Sequence, residues 1–569
     1  MASNRLLTSK TVKTVFLTAL LCVICFMAVL PLGHDLHYHM YRIGAMADQF
    51  RLDGFKIPLR ILSVSYNNYG YASPLFYGDT LLYIPAFLTY LGVNASLSLR
   101  LLLVVTFLAA FAVMYMEVRI CLKDKEKALI YAVTYAFSPY FLTDLVIRMA
   151  VGEATAMVFL PVFFIALYRL IYDRKKYDWL HLSLGLTAIL FCHNLTAILT
   201  VFIAVIYVII NIFGIKNIKL FLCDTLKSAV LFLLLSASFI FPMIDEMRYQ
   251  SHQTYYSVMD HFDLWDLFFP YEIQKILAGI FNFKIDLESW QPGGLGLSIL
   301  FISVLLFLVK RRGKRLEFAE KTLLTASFVS LVLYILMYVP AFLDIMDGYI
   351  GFMQFIWRFC SFFSVFWSML SAAVIIKLDS SKKIGRALFI AVFIGIYAIG
   401  TRYAYQIFIN IAGESYLREV NSEFADKYIM EYSPNAGDNL YLPKEASITT
   451  YMDRGEKILS SDGKEYTGFK REKSAIYLYT DPDRADVYEL PLYMYKGYKA
   501  VDTSTNEELK VEKSNSGLVS VAVPKGHECI RISYAGTALQ KISDVISLLT
   551  TALVFIVIIK KGREIFNAD

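Results

Sequence analysis

Long apolar runs dominate the chain. Runs long enough to cross a bilayer lie near residues 13–32, 96–117, 126–143, 154–172, 178–193, 195–213, 224–243, 294–310, 321–340, 355–377, 384–405 and 541–559. They predict an α-helical polytopic membrane protein with about twelve transmembrane helices. The segment 79–91 is apolar but short and holds Pro85, so it reads as an interfacial or re-entrant helix that does not cross. The pattern changes at 413–538, which is polar, rich in tyrosine and interrupted by Pro434, Pro443, Pro482, Pro491 and Pro524. Alternating runs at 475–479 and 517–523 predict strands there. The chain thus divides into a transmembrane domain over 1–412 with long loops at 33–95 and 244–293, a small β-sandwich-like domain over 413–538, and a last helix with a tail over 539–569.

Lysine and arginine concentrate at 119–127, 169–176, 216–227, 310–321, 377–386 and 560–563, alternating with loops poorer in lysine. The positive-inside bias then puts both termini in the cytoplasm. It turns 33–95, 144–153, 244–293, 341–354 and 406–540 outward. Composition agrees: 57% of residues are hydrophobic, mean hydropathy is +0.52, and only 18% are charged, against about a quarter in soluble domains. The bilayer is therefore the first partner. The net charge of +6 is spread between spans, so no compact basic domain argues for nucleic acid. The seven cysteines offer no outward pair for a disulfide. Cys22 and Cys25 fall inside the first apolar run and read as small apolar side chains. That run follows a basic start and has no small-residue exit, so it reads as an uncleaved first span.

Candidate chemistry gathers at the outward ends of spans. Gly33-His34-Asp35-Leu36-His37-Tyr38-His39-Met40-Tyr41-Arg42 follows the first run. Asp35 and His39 are four apart and share a face if a helix begins near Asp35; Arg42 lies on nearly the same stripe. The bland alternative is that Asp35 caps an interfacial helix. Residues two apart on a helix do not face each other, so the three histidines with Asp35 do not define a metal site. Arg148 and Glu153 sit in a short loop between apolar spans, either as a structural ion pair or with Arg148 on a lipid phosphate and Glu153 positioning it. His193, beside Asn194 at a tight helical turn, reads as a cap or a phosphate ligand. Gln354, Trp357 and Arg358 open a span. Trp357 suits an aromatic belt, and Arg358, inside the apolar run, needs a phosphate partner or must snorkel. His252 lies in the long second loop among aromatic and amide groups that suit a sugar or an interface equally. Of the eight histidines only His181 falls inward, which places acid–base chemistry on the outer face.

The placement of Asp35 just after the first span resembles the GT-C glycosyltransferases, membrane enzymes that take a sugar from a polyprenyl-phosphate carrier with an Asp in that position. More closely, 33–42, Pro58-Leu59-Arg60, Tyr69-Gly70-Tyr71, Pro74, Phe76-Tyr77-Gly78 and Tyr83-Ile84-Pro85-Ala86 resemble the bacterial YfhO-type proteins and the membrane family labelled "6-pyruvoyl-tetrahydropterin synthase-related". The sequence holds no soluble pterin-synthase domain. The tail, 490–500 with 519–527, resembles the outer domain of the same proteins, with Tyr498 where they usually have Trp.

The resemblance implies a GT-C-like fold and transfer of a sugar from an undecaprenyl-phosphate donor to a cell-envelope polymer, glycolipid or protein, by an inverting mechanism. Asp35, His39 and Glu153 are then the catalytic candidates. Arg42, Arg60, Arg148, His193 and Arg358 are the donor-phosphate candidates, and Tyr77, His252, Gln354 and Trp357 would line the substrate. Some GT-C enzymes use a divalent cation, but no Asp-x-Asp or Asp-Glu pair stands at Asp35. The alternative class is a lipid-linked-sugar transporter or flippase, or a non-catalytic envelope-assembly protein. A transporter calls for polar groups at broken helices near the midplane, and most of these runs are apolar there.

Overall fold

A computed structural model describes residues 35–78, 80–253, 317–336, 356–377, 439–447 and 449–566. The expected spans at 13–32, 294–310 and 384–405, most of the loop 244–293, Gln354 and residues 413–438 lie outside them. The described part is mostly helical with a β region near its C-terminal end, as the hydropathy pattern predicts.

Helix α1 (Leu36–Asp53) leads to an irregular stretch and then to α2 (Tyr83–Tyr90). With the 3-10 turn before it, α2 forms an apolar piece over Thr80–Tyr90, about 16 Å long; that is half a bilayer core. Three described helices have the length and apolarity of a span: Ala95–Leu122 (α3), Val151–Tyr172 and Ala538–Gly562. Val151–Tyr172 consists of α5 (Val151–Met157) and α6 (Leu160–Tyr172), separated by a turn just before Pro161.

The expectation of one helix over 126–143 needs correction. Helix α4 (Lys125–Ala136) stops short, Pro139 opens a single helical turn, and a π-helical turn follows over Thr143–Arg148. Proline has no N–H and its ring clashes with the carbonyl four residues back, so the helix ends before it. Helices α7 (Asp178–Cys192) and α8 (Asn194–Ile210) are apolar but shorter than a full crossing.

The run at 224–243 is also not one straight helix. It lies across α9 (Ile218–Leu235) and α10 (Ala237–Tyr249), which meet at 72°. Pro242 sits inside α10 and cannot bond to the carbonyl of Ser238. Arg60 Nη1 donates to that carbonyl at 2.8 Å, and its Nη2 pairs with Asp544. Ser547 Oγ meanwhile accepts from the Ser238 N–H at 2.8 Å. Asp544 and Ser547 belong to the last helix, α13, after α11 (Phe318–Leu336) and α12 (Cys360–Lys377); α13 runs over Ala538–Phe566. Arg60 thus clamps the first loop, the bend and the last helix. Arg60→Ala should lower stability by about 2 kcal/mol, the scale of a charge-assisted hydrogen bond. Thermal unfolding in detergent measures this, and an unchanged midpoint would refute the clamp.

The β region is a sandwich of two five-stranded antiparallel sheets, ordered β2-β1-β5-β9-β8 and β3-β4-β10-β6-β7. The strands are β1 (Ile458–Leu459), β2 (Glu465–Tyr466), β3 (Phe469–Glu472), β4 (Ala475–Tyr479), β5 (Asp486–Tyr493), β6 (Tyr498–Asp502), β7 (Glu508–Leu509), β8 (Val511–Lys513), β9 (Leu518–Val523) and β10 (Cys529–Tyr534). The two runs read as strands from alternation are β4 and β9. Burial alternates along β6, Tyr498, Ala500 and Asp502 being buried and Lys499 and Val501 partly so, as period-two geometry requires.

The sandwich core is shared. Ile61, Tyr66, Tyr69, Tyr71, Ala72, Leu75 and Phe76 of the first loop pack into it. Tyr69 accepts at its carbonyl from Tyr493 N (2.9 Å) and donates from its hydroxyl to the Gly455 carbonyl (2.5 Å). The tyrosines of the Tyr69-Gly70-Tyr71 motif are therefore buried against the β domain.

Within β6, buried Asp502 accepts from the Ser504 hydroxyl and from the Ser504 and Thr505 N–H groups, and contacts His527 Nδ1 at 2.8 Å. These bonds, the Ser504 hydroxyl first, hold its carboxyl below the usual carboxylate range. A depressed folded-state value gives stability that is full above the ordinary value of 3.8 and drains away as pH falls below it. The unfolding midpoints of wild type and Asp502→Asn should therefore converge as pH is lowered from about 6 to about 2. A constant difference would contradict this.

Candidate functional site

The site forms where α1 begins. Asp35 occupies the N-cap position of α1, yet its side chain makes no capping hydrogen bond. Its backbone does the anchoring: Asp35 N–H donates to the Arg148 carbonyl at 2.8 Å, and His39 N–H donates to the Asp35 carbonyl at 3.1 Å. Asp35 itself is half-buried. Asp35 acts electrostatically on Tyr77, Asp144 and Arg148, which puts all four in one neighbourhood.

One and two turns along α1, His39 and Arg42 are buried. Burial, then the Arg42 charge, holds the His39 imidazole well below its ordinary value, so the ring is neutral at pH 7. The Arg42 guanidinium lies over two tyrosine rings, 4.8 Å from the centroid of Tyr38 and 4.3 Å from that of Tyr77. Such stacking suits a delocalised cation. Tyr77 also meets His193 edge to face at 5.5 Å, and burial pushes its hydroxyl up to about 12.

Two glycines allow this packing. A Cβ on Gly78 would stand 2.8 Å from the carbonyl oxygens of Leu190 and Phe191, and one on Gly152 would collide with the Tyr77 hydroxyl. The first motif can therefore lie directly against the α7–α8 turn and the start of α5.

Arg148 ends the π-helical turn and is held by carboxylates. Its Nη1 lies 2.5 Å from Asp144 Oδ1, 3.2 Å from Glu153 Oε2 and 3.1 Å from the Tyr140 hydroxyl. Glu153 Oε1 accepts from the Tyr140 hydroxyl at 2.8 Å and from Ser361 Oγ at 2.7 Å, which ties α5 to α12. Of the two sequence alternatives for Arg148 and Glu153, the ion pair forms. Asp144, fully buried, was missed. Its signal was legible: an acid four residues before Arg148 in a helical register.

At the α7–α8 turn, His193 Nδ1 accepts from Thr196 N–H as the N-cap of α8. The Arg358, Arg148 and Arg42 charges all act on His193. Arg358 is buried beside the start of α12. The structure thus brings together Asp35, His39, Arg42, Tyr77, Arg148, Glu153, His193 and Arg358, from five separate stretches of chain.

Two candidates go elsewhere. Arg60 is taken by Asp544 and the Ser238 carbonyl. His252 packs its ring against Phe76 (4.7 Å), lies 3.5 Å from Glu246 Oε1 and bridges to Pro443, so it joins α10 to the β domain. Gln354 and the Trp357 side chain lie outside the described residues. Among the described residues no three His, Cys, Asp or Glu side chains converge as a metal site would require.

The family model for the bacterial membrane protein YfhO matches residues 75–419, more than half of the chain. No curated protein sequence matches. Among solved structures, the chain is similar to the arabinofuranosyltransferase AftD from Mycobacteria, with 14% identity and a TM-score of 0.38, over 66% of this chain and 27% of that one. It is similar to ArnT from Cupriavidus metallidurans, solved bound to undecaprenyl phosphate, with 11% identity and a TM-score of 0.36, over 73% of this chain and 74% of that one. A third is the arabinosyltransferase EmbB from Mycobacterium smegmatis, with 11% identity and a TM-score of 0.35, over 90% of this chain and 62% of that one. The chain spans about a quarter of the length of AftD and under two thirds of EmbB.

Proposed function

The chain belongs to the YfhO family of bacterial membrane proteins, and from that premise we propose that it is a GT-C-type glycosyltransferase. It would move a sugar from a polyprenyl-phosphate donor to an envelope acceptor on the outer face of the membrane. The observation that carries this reading is the Asp35 carboxylate. It stands at a helix N-cap without capping, half-exposed; it acts on buried Arg148, and Tyr77 feels it together with the buried cations Arg42 and Arg358.

The chemistry follows from that arrangement. An acceptor hydroxyl oxygen attacks the anomeric carbon from the face opposite the phosphate. The bond from that carbon to the phosphate oxygen breaks, and polyprenyl phosphate leaves with the bonding electrons. Asp35 takes the hydroxyl proton as general base. Arg42 and Arg358, with His193 beside them, stabilise the charge that grows on the departing phosphate. Tyr77 would line the sugar, and with Tyr38 it keeps the Arg42 guanidinium flat. Buried neutral His39 supports the site from behind. Arg148 is assigned to holding the site together, because two carboxylates already share its guanidinium.

The test is release of polyprenyl phosphate by the purified protein from a panel of polyprenyl-phosphate sugars. Turnover with at least one donor in the presence of envelope acceptors is expected. Transbilayer movement of the intact donor, with no glycosylated product, would favour the transporter class instead.

A further inference from the structure

Asp144 belongs to the loop that carries Arg148, and none of the chemistry above uses it. It is wholly buried and holds the turn at two points, one on the Arg148 side chain and one on the backbone just beyond it. Its Oδ1 lies 2.5 Å from the guanidinium, and its backbone carbonyl accepts from Ala150 N–H at 2.9 Å. Between these two holds the chain makes an unusual path. The turn Thr143–Arg148 is π-helical, and Met149 closes it in the left-handed region at φ 51°, ψ 38°. A side-chain-bearing residue persists there only where its surroundings over-determine it, and π-turns are frequent at functional sites. The result is that the Arg148 carbonyl leaves its own helix and accepts from Asp35 N–H at 2.8 Å.

We propose that Asp144 is the positioning residue for Asp35: it fixes the Arg148 carbonyl that anchors the cap of α1, and so sets where the Asp35 carboxylate stands. The kinetic side of this proposal rests on the transferase reading above; the anchoring itself does not. Tyr140 and Glu153 also hold Arg148, but at 3.1 and 3.2 Å, and neither holds the backbone beyond it. Asp144 alone among these three ties side chain and backbone of one turn together.

The experiment is a double-mutant cycle with a second readout. Asp144→Ala should lower kcat on the order of 10- to 100-fold, the cost of misplacing a reacting group, with the donor KM changed by less than about threefold. Asp144→Asn keeps an oxygen acceptor for Arg148 and should lose less. In an Asp35→Asn background, Asp144→Ala should cause no further loss, because a residue that acts through Asp35 has nothing left to position. Equal losses in both backgrounds would overturn the proposal.

Amide hydrogen exchange gives the independent arm. Residues 35–40 should exchange faster in both Asp144 variants while β4 and β9 stay protected as in wild type. Unchanged protection at 35–40 would overturn the anchoring even in a protein with no measurable transfer. If Asp35→Asn proves fully active while 35–40 loosen as expected, the transferase mechanism fails and the anchoring stands.

Discussion

Asp35→Asn should abolish most sugar transfer, by about a hundred- to ten-thousand-fold, the usual cost of losing a general base. The amide keeps the size and polarity of the side chain and loses only its ability to take a proton. Donor binding should survive, since the cations sit on Arg42 and Arg358. The helix-cap alternative makes the opposite forecast. Asn caps about as well as Asp, and the Asp35 carboxylate makes no capping bond in any case, so a pure cap would leave the variant nearly wild type. Product formation and donor affinity, measured on both folded proteins, separate the two. Full turnover by the variant would remove Asp35 from the mechanism.

The second large effect is expected at Arg148, and on stability. Arg148→Ala strands two buried carboxylates, Asp144 and Glu153, that now share its guanidinium. Breaking a buried pair by removing one partner typically costs about 3–5 kcal/mol, enough to consume much of a domain's margin. Adding Asp144→Asn and Glu153→Gln should restore part of the loss, because the stranded charges are then gone. Were Arg148 chiefly a donor-phosphate ligand, Arg148→Ala would fold normally and show a raised donor KM. Thermal unfolding alongside donor titration decides between these outcomes.

The sequence by itself determined that this is a mostly helical membrane protein with a β region near its C-terminal end. Runs of apolar residues have one physical use at this length and density, and period-two alternation at 475–479 and 517–523 marks strands, since both signals are local. The concentration of chemistry around Asp35, His39 and Arg42 was legible for the same reason: four-residue spacing on a helix is a local property.

What tertiary structure alone decided is how the helices break and who pairs with whom. Pro139 and Pro242 are visible in the sequence, but not that Arg60 of the first loop would take the Ser238 carbonyl that Pro242 leaves without a helical donor. Arg60 and His252 carry the same chemistry as the residues that do converge. They were removed from the cluster by partners 484 residues away at Asp544 and six residues away at Glu246. The four-residue spacing of Asp144 from Arg148 was legible, but not that the Asp144 carbonyl would close the turn whose Arg148 carbonyl anchors Asp35. Hydrophobic pattern acts along the chain and can be read there; the pairing of buried charges depends on distances across it, which only the folded packing sets.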